Sequence, residues 1–367
     1  MAQITAAMVK ELREISGAGM MECKKALTET DGNLDAAIEV LKKSGAMKAA
    51  KKADRIAAEG LCAVAADESG RKAAVVEVNS ETDFVAKNDK FKAFVGRVAA
   101  QALQSGAADM DGFMAESWID DGSKTVKEAL NDMILTIGEK LDIRRFKKVD
   151  SASGLVESYI HGGGKIAVIV EAEGEDKAEI REAMKNIAMQ TAAMAPQYIK
   201  REDISADEMA KMKEIVIDSS LNDPATLPKP ILQKLLDKAV ADKLWSEEDI
   251  KAYEENKTNK YLFNFLSKEA AATLAQLAMG NKADYLADKV FSGLVDGRIS
   301  KQVKEISLFD QVYVKAEDGK QTVAQYVDQV AKANGGFTVK SVIRFETGEG
   351  IEKREENFAE EVAKQMK

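Results

Sequence analysis

The sequence has few cysteines, histidines and prolines. Its 367 residues include two cysteines, one histidine and four prolines. Two cysteines cannot form a disulfide framework, and such low usage is typical of proteins kept in a reducing compartment. Two cysteines and one histidine also cannot supply the four ligands of a closed zinc site made of these residue types. The composition therefore predicts neither a metal site nor a disulfide-stabilised scaffold.

Long apolar runs and an excess of basic residues are also missing. No stretch approaches the roughly 20 apolar residues that a membrane-spanning helix needs. With 53 basic and 62 acidic side chains the net charge is −9, which argues against broad binding to nucleic acid or to an anionic membrane. The first residues lack the apolar region of a signal peptide and carry Glu11 and Glu14 early. These features predict a cytoplasmic protein with no nucleic-acid or membrane partner.

Signatures of enzymes are missing as well. Cys23 falls in a helical apolar pattern and Cys62 in a strand pattern, which favours small buried side chains over nucleophiles. The stretch HGGGKIAV at 161–168 does not fit a phosphate loop, because Lys165 is followed by Ile166 and a second strand. Three glycines at a hairpin tip are explained by turn geometry alone. We therefore expect no chemical active site, no cofactor and no direct binding of nucleotide.

The beginning of the chain has the pattern of a small helical unit. Residues 4–53 predict three short helices, separated by glycine turns at 17–19 and 31–33. The basic stretch KAAKKADR at 48–55 then predicts a linker into the next domain.

The apolar period shortens from about 3.6 to about 2 near residue 61, which marks the start of an α+β region. Two strand-like runs separated by DESGR predict a β-hairpin, and helices and a strand follow. The same order recurs from residue 155, with the quartets IRRF at 143–146 and VIRF at 342–345 in equivalent places. This recurrence indicates two related α+β halves, arranged about a pseudo-twofold axis.

Two further segments depart from this repeated plan. A long helical insertion is predicted at about 205–299, where three of the four prolines cluster between 224 and 230. The last residues predict a terminal amphipathic helix, because its apolar side chains recur at helical spacing: Ile351, Phe358, Val362 and Met366.

Two short stretches are candidate contact surfaces. Met20 and Met21 follow the first glycine turn, and methionine is an adaptable apolar side chain that suits recognition surfaces. Pattern alone favours the other interpretation, in which both close the core of the helical unit.

The second stretch is ETDFVAKN at 81–88, where a strand pattern gives way to a helix. Ser80 or Thr82 fits the N-cap position, and Ser80 with Asp83 fits a capping box. On that interpretation Phe84 packs inward as an ordinary core residue. The alternative is that Phe84 is presented to another protein, and pattern alone favours the core.

Five stretches together resemble the elongation factor Ts family, the bacterial guanine nucleotide exchange factors of elongation factor Tu. They occur in one order from one end of the chain to the other, and none lies in the insertion. Their ranges are 9–27, 32–53, 76–88, 158–171 and 342–365. The resemblance implies an α+β fold with a three-helix N-terminal domain similar to ubiquitin-associated domains. It further implies a core of two related halves with small antiparallel sheets, a helical projection from the second half and a C-terminal helical module.

The expected division of the chain follows from the pattern and the resemblance together. It has four parts: a three-helix domain at 1–55, a first half at 56–150, a second half at 151–346 that contains the insertion, and a terminal module at 347–367. The insertion is longer than the helical hairpin usual in the family, and it carries Trp245 and the aromatic stretch YLFNFL at 261–266. The family therefore implies no role for it.

The resemblance also implies functional residues. In the family, the phenylalanine that matches Phe84 is inserted between helices of the GTPase domain of Tu. The stretch Thr82, Asp83, Phe84 and Val85 inherits the displacement of Mg²⁺ from the nucleotide site of Tu. The other expected contacts with Tu, in its GDP-bound and nucleotide-free states, are Arg13, Met20, Met21, Ala86, Lys87, Asn88, His161, Phe358 and Val362.

Two rival functions follow from the same residues. A plain adaptor or chaperone would use the ubiquitin-associated-like domain to bind protein, but it would leave the TDFV stretch and the duplicated core without a role. A nucleotide-using enzyme is disfavoured by the missing phosphate loop. Stimulated release of GDP from Tu separates an exchange factor from an adaptor, and direct nucleotide binding separates the enzyme from both.

Overall fold

The computed structural model describes residues 4–352 of the chain. It divides into two compact units, one that comprises the chain up to Ala195 and from Gln325 onward, and one that spans Pro196–Ala324. Of the residues predicted to form the terminal helix, Ile351 is described and is not helical. Phe358, Val362 and Met366 lie outside the described residues.

The three predicted N-terminal helices are present, as α1 (Ala6–Ser16), α2 (Met20–Glu29) and α3 (Leu34–Lys52). The side chain of Thr5 caps α1 and that of Asn33 caps α3, while Gly17 ends α1 in the left-handed region at φ 66°. The predicted linker at 48–55 is wrong in its first part, because α3 runs on to Lys52. Alanine and lysine are good helix formers, so the helix continues through them.

The first half contains nine elements. They are β1 (Glu59–Ala66), β2 (Lys72–Ser80), α4 (Asp83–Lys87), α5 (Asp89–Gln104), α6 (Met110–Ala115), β3 (Ser117–Trp118), β4 (Asp121–Thr125), α7 (Val126–Ile137) and β5 (Leu141–Asp150). Strands β1, β2 and β5 form an antiparallel sheet with β2 in the centre, and β3 pairs with β4. The Trp118 ring of β3 is buried and its centre lies 5.6 Å from that of Phe94.

The second half repeats this sheet with β6 (Leu155–His161), β7 (Ile166–Gly174) and β8 (Phe337–Glu346), and α8 (Ala178–Met194) packs on it. Both sheets are antiparallel with a hairpin strand in the centre. Each central strand meets the third strand with a β-bulge, after Glu77 in the first sheet and after Glu171 in the second. The expectation of two related α+β halves is therefore confirmed.

The expected equivalence of the two sequence quartets is wrong in register. Both quartets lie on the third strand of their sheet. When the two sheets are aligned by their bulges, however, residues 143–146 correspond to 339–342. VIRF at 342–345 lies three residues further along its strand. Apolar periodicity indicates a strand, but it does not fix where that strand pairs along its neighbour.

The two sheets pack face to face in the middle of the first unit. The shared core includes Cys62 and Val75 from one sheet, and Val156, Ile169 and Phe345 from the other. On its outer side the first sheet shares a larger core with α5 and α7. Strand β2 is therefore covered on both faces, which explains why eight of its nine residues are buried.

A buried carboxylate ties the two sheets together. Glu77 has no exposed surface, and its Oε1 atom accepts hydrogen bonds from the Gly348 backbone N–H at 2.8 Å and from Arg144 at 3.0 Å. Its Oε2 atom accepts from Nε of Arg145 at 2.5 Å. Burial disfavours the charge, but these donors and Asn79 outweigh it and hold the pKa of Glu77 below its usual range.

The long helical insertion is confirmed, and the compact unit that contains it extends beyond the predicted 205–299 on both sides. Its helices are α9 (Ala206–Asn222), α10 (Lys229–Ala241), α11 (Glu247–Asn256), α12 (Lys268–Gly280), α13 (Lys282–Ala287) and α14 (Lys289–Ile306). The unit has its own core, in which Trp245 is buried and donates its indole N–H to the Ala270 carbonyl at 3.1 Å. Tyr261 and Phe265 of the aromatic stretch are largely exposed. A further helix, α15 (Val323–Asn334), leads into β8.

Across residues 4–352, every helix falls short of the length and apolarity that crossing a lipid bilayer requires.

We predict that Glu77→Gln lowers the free energy of unfolding at pH 7 by about 3 kcal/mol, because two arginines lose the carboxylate that they face. The folded pKa of Glu77 is depressed. Its contribution is therefore complete above the unfolded pKa of about 4.3 and is lost as the pH falls from there towards the folded pKa. The difference between wild type and variant should shrink in acid. Urea denaturation at several pH values measures it.

The matched control is Asp150→Asn, which removes an exposed ion pair with Lys72 of 2.9 Å. This change should cost less than about 1 kcal/mol. Equal losses in the two variants would mean that the buried charge on Glu77 contributes no more to the free energy of unfolding than the exposed charge on Asp150.

Candidate functional site

Residues 81–88 connect the central strand of the first sheet to the helix that covers it. Strand β2 ends at Ser80, the five-residue helix α4 follows, and α5 begins at Asp89. The side chain of Asn88 caps α5 by accepting from the Lys90 N–H at 2.9 Å. The whole stretch is therefore a short corner between two core elements.

The first two residues of this corner are tied to the loop between α7 and β5. Thr82 donates its backbone N–H to Glu139 at 3.0 Å and its hydroxyl to the other oxygen of the same carboxylate at 2.8 Å. Glu81 in turn accepts from the Lys140 backbone N–H at 2.5 Å and from Arg55 at 3.3 Å. Glu139 therefore binds the start of the corner, and Glu81 in the corner binds the loop that carries Glu139.

The inner face of α4 belongs to the core. Val85 and Ala86 are 8% and 7% exposed, and Val85 packs in the same core as Phe91 and Phe94. These contacts fix how the short helix is rotated about its own axis.

Phe84 lies on the outer face and is 79% exposed. Asp83 and Lys87 form an ion pair of 2.7 Å beside it, and the Lys87 ammonium lies 5.7 Å from the centre of the Phe84 ring. The hydrogen bond from Lys87 lowers the pKa of Asp83, and the charge of Lys165 adds to this effect. The apolar ring therefore lies on the surface beside an ion pair.

The expectation from pattern alone, that Phe84 packs inward, is wrong. Val85 takes the inward position, because a helix of one turn can turn only part of its residues to the core. The expected capping box is also wrong. The Thr82 hydroxyl is engaged by Glu139, no side-chain bond caps α4, and Ser80 donates its hydroxyl to the Thr82 carbonyl at 3.0 Å.

The N-terminal helices present a second apolar surface. Met20 and Met21 are 60% and 75% exposed at the start of α2, while Leu12, Cys23 and Leu27 fill the core beneath. The expectation that both methionines close this core is therefore wrong.

Arg13 also lies exposed on α1. Ile15 on α1 and Met47 on α3 are exposed to a similar degree as the methionines. Sequence reasoning missed these two, because their spacing matches an inward helical face.

His161 lies exposed at the end of β6, where its Nδ1 atom is 3.0 Å from the Tyr159 hydroxyl. The glycine turn that follows packs against the first sheet. The Gly164 carbonyl accepts from the Cys62 N–H at 2.7 Å, and a Cβ atom at Gly164 would lie 2.9 Å from the Leu61 side chain. At φ 102° this position also favours glycine.

The predicted site residues therefore fall into three groups. Residues 82–88 form one corner, Arg13 and the two methionines lie on the N-terminal helices, and His161 lies on the second hairpin. Lys165, in the turn of that hairpin, forms an ion pair of 2.9 Å with Glu59, which pairs with Ser80 at the end of β2. The hairpin turn therefore lies near the start of the corner. Phe358 and Val362 lie outside the described residues.

Both cysteines are buried, as their sequence patterns predicted. Burial raises the pKa of the Cys62 thiol to about 12, so this thiol stays protonated at neutral pH.

Comparison with known proteins points to one family. A family model described as elongation factor TS matches residues 81–349, which begin at the first residue of the corner. The chain is similar to elongation factor Ts of Clostridioides difficile strain 630, with 42% identity over all of both chains. It is 40% identical to elongation factor Ts of Clostridium tetani strain Massachusetts, with 99% of each chain covered. The protein of that name from Trichlorobacter lovleyi is 39% identical, with 98% of this chain and 97% of the relative covered.

We predict that Phe84→Ala changes the free energy of unfolding by less than about 0.5 kcal/mol, because an exposed side chain loses few contacts. The matched control is Phe91→Ala seven residues later, where the ring is fully buried. That change should cost about 3–5 kcal/mol. Urea denaturation of both variants measures the difference. Equal losses would mean that Phe84 is packed in the core.

Proposed function

The chain belongs to the elongation factor Ts family, and from this premise we propose that it is the guanine nucleotide exchange factor of elongation factor Tu. It binds Tu·GDP, accelerates release of GDP and leaves nucleotide-free Tu ready for GTP. It acts by binding, with no chemical active site of its own. The observation that carries the proposal is the exposure of Phe84, an aromatic ring held at 79% exposure on this corner.

Exchange requires negative coupling between two ligands of Tu. Binding of this protein lowers the affinity of Tu for GDP, and by thermodynamic linkage GDP lowers the affinity for this protein by the same factor. Burial of a large apolar side chain supplies roughly 1.5–3 kcal/mol. If Phe84 is buried only in the form of Tu that holds GDP loosely, this free energy favours that form.

The displacement of Mg²⁺ is assigned to Thr82, Asp83, Phe84 and Val85. The ion bridges phosphate oxygens and is among the largest charges in a nucleotide site, so moving its ligands loosens GDP without any contact to the nucleotide. The four side chains have different surroundings in this chain. Val85 is buried and Thr82 is hydrogen-bonded to Glu139, so both support the corner, whereas Asp83 and Phe84 are available to the partner.

The remaining contacts hold the factor on its partner. We assign them to Arg13, Met20 and Met21 on the N-terminal helices, to His161 on the second hairpin, and to Ala86, Lys87, Asn88, Phe358 and Val362. Exposed methionines suit such a surface, because their flexible side chains adapt to the shape of a partner. Ala86 is buried, so it acts through the corner rather than by direct contact.

We predict that this chain accelerates release of fluorescent GDP from Tu, and that Phe84→Ala slows the accelerated release by about 10- to 100-fold, the range that corresponds to losing the burial of one ring. Binding to Tu should weaken less, because the N-terminal contacts remain. Stopped-flow fluorescence gives the release rate, and its dependence on factor concentration gives the affinity.

Phe265→Ala is the matched control, since this ring is 47% exposed on the other compact unit. It should leave release unchanged. A chain that binds Tu without accelerating release would instead be an adaptor. Calorimetry with GDP should show no binding to the chain alone, and micromolar affinity would favour a nucleotide-using enzyme.

We further predict that the helical unit is dispensable for exchange, because the residues assigned to the mechanism lie outside it. A cut at 220–285 would divide its core, since Val216 and Phe291 belong to the same cluster as Leu235. Replacing residues 197–322 with a flexible linker removes this core as a whole and does not divide it. Asn186 of α8 and Tyr326 of α15 are hydrogen-bonded at 2.9 Å, so a flexible linker of about 20 residues spans the gap.

The shortened chain should keep most of the acceleration of GDP release. Circular dichroism checks that it is folded. If it is folded and releases GDP only at the background rate, the helical unit belongs to the mechanism.

A further inference from the structure

A side chain outside the family's functional motif holds the corner that presents Phe84. Glu139 lies in the loop between α7 and β5, 57 residues from Thr82 in the sequence. Its two carboxylate oxygens accept from the Thr82 N–H at 3.0 Å and from the Thr82 hydroxyl at 2.8 Å. Hydrogen bonds to an ionised acceptor are among the stronger ones in proteins, and two to one residue also fix its orientation.

Thr82 is the residue from which α4 starts. Its backbone is extended at φ −125° and ψ 156°, and the helix begins with Asp83. A five-residue helix is too short to be stable by itself. Its direction is therefore set by what holds its two ends, which are Thr82 at the start and the cap residue Asn88 at the end.

The neighbouring residues add a reciprocal contact. Glu81 accepts from the Lys140 backbone N–H at 2.5 Å, while Glu139 accepts from the Thr82 backbone N–H. Each side chain thus binds the backbone of the opposite segment, which joins 81–82 to 139–140 at two points. Arg55 adds a charge to Glu81 at 3.3 Å. The corner is held against the end of α7 before any partner arrives.

We propose that Glu139 is a positioning residue for exchange: it holds α4 in the orientation at which Phe84 enters Tu. This inference rests on the proposed exchange function. Glu139 acts through Thr82 and α4, so the effect of its removal depends on Phe84. A small displacement of a positioned group is sufficient to reduce a rate strongly, since geometry within about 0.5 Å matters at such sites.

The test compares Glu139→Ala with Glu139→Gln in GDP release from Tu. Alanine removes both contacts and should reduce the maximal release rate by about tenfold, with the concentration for half-maximal effect little changed. Glutamine should restore most of the rate. Its carbonyl oxygen accepts the Thr82 N–H, and its amide donates to the Thr82 hydroxyl oxygen, which can serve as an acceptor.

Glu128→Ala is a matched control within the same chain. Glu128 accepts from the Thr125 N–H at 2.7 Å and from the Thr125 hydroxyl at 3.1 Å, at the start of α7. Its removal breaks the same pair of bonds at another helix start. Release of GDP should be unchanged, although the melting temperature should fall about as much as in Glu139→Ala.

The double variant with Phe84→Ala decides whether Glu139 acts through the ring. In the Phe84→Ala background, Glu139→Ala should add less than about a twofold change, because coupled residues are not additive. A full tenfold loss in that background, or no loss in the single variant, would overturn the proposal. Equal loss with alanine and glutamine would overturn it too.

Hydrogen exchange on the free chain separates this proposal from the function on which it rests. Glu139→Ala should accelerate exchange of the backbone amides of residues 82–88, and Glu128→Ala should not. If the wild-type chain fails to accelerate GDP release, the proposed function is wrong. The hydrogen-exchange result would still show whether Glu139 positions residues 82–88. If release is normal and the amides are equally protected in both variants, the positioning role is wrong.

Discussion

The arrangement of the first unit depends on one buried charge. Glu77 lies on the central strand of the first sheet, and it binds Arg145 of the third strand and the backbone of Gly348 just after β8. Arg145 also stacks on Phe345 with its guanidinium 4.2 Å from the ring centre. A buried carboxylate needs all of its partners, so the strands that supply them are fixed in register. Ser80 ends the same strand three residues later, and the corner with Phe84 starts from there.

The corner presents an exposed ring on a segment held by several contacts. Acidic side chains hold its start, buried Val85 holds its inner face, and Asn88 caps the helix that follows. A segment held by such contacts has less conformational freedom to lose on binding. If a partner covers Phe84, as we propose, less of the free energy gained is spent on ordering the segment, and more of it is available to favour one conformation of the partner.

The helical unit is stabilised by a core of its own. Its core is separate from the cores beside the two sheets, and Trp245 lies within it. The similarity to the relative from Clostridioides difficile extends over the whole of both chains, so that protein is long enough to contain an insertion of the same size. The unit carries exposed aromatic side chains at Tyr261 and Phe265, and the two sheets are complete without it.

The sequence by itself determined the helices, the two hairpins, the repeated α+β order and the long insertion, because apolar periodicity and turn residues are local signals. Its resemblance to a family singled out Phe84, where pattern alone favoured the core. Only the tertiary structure decided which side of α4 faces inward, in which register the third strands pair, and that Glu139 holds Thr82. Those outcomes depend on contacts between residues far apart in the chain, and no local pattern encodes them.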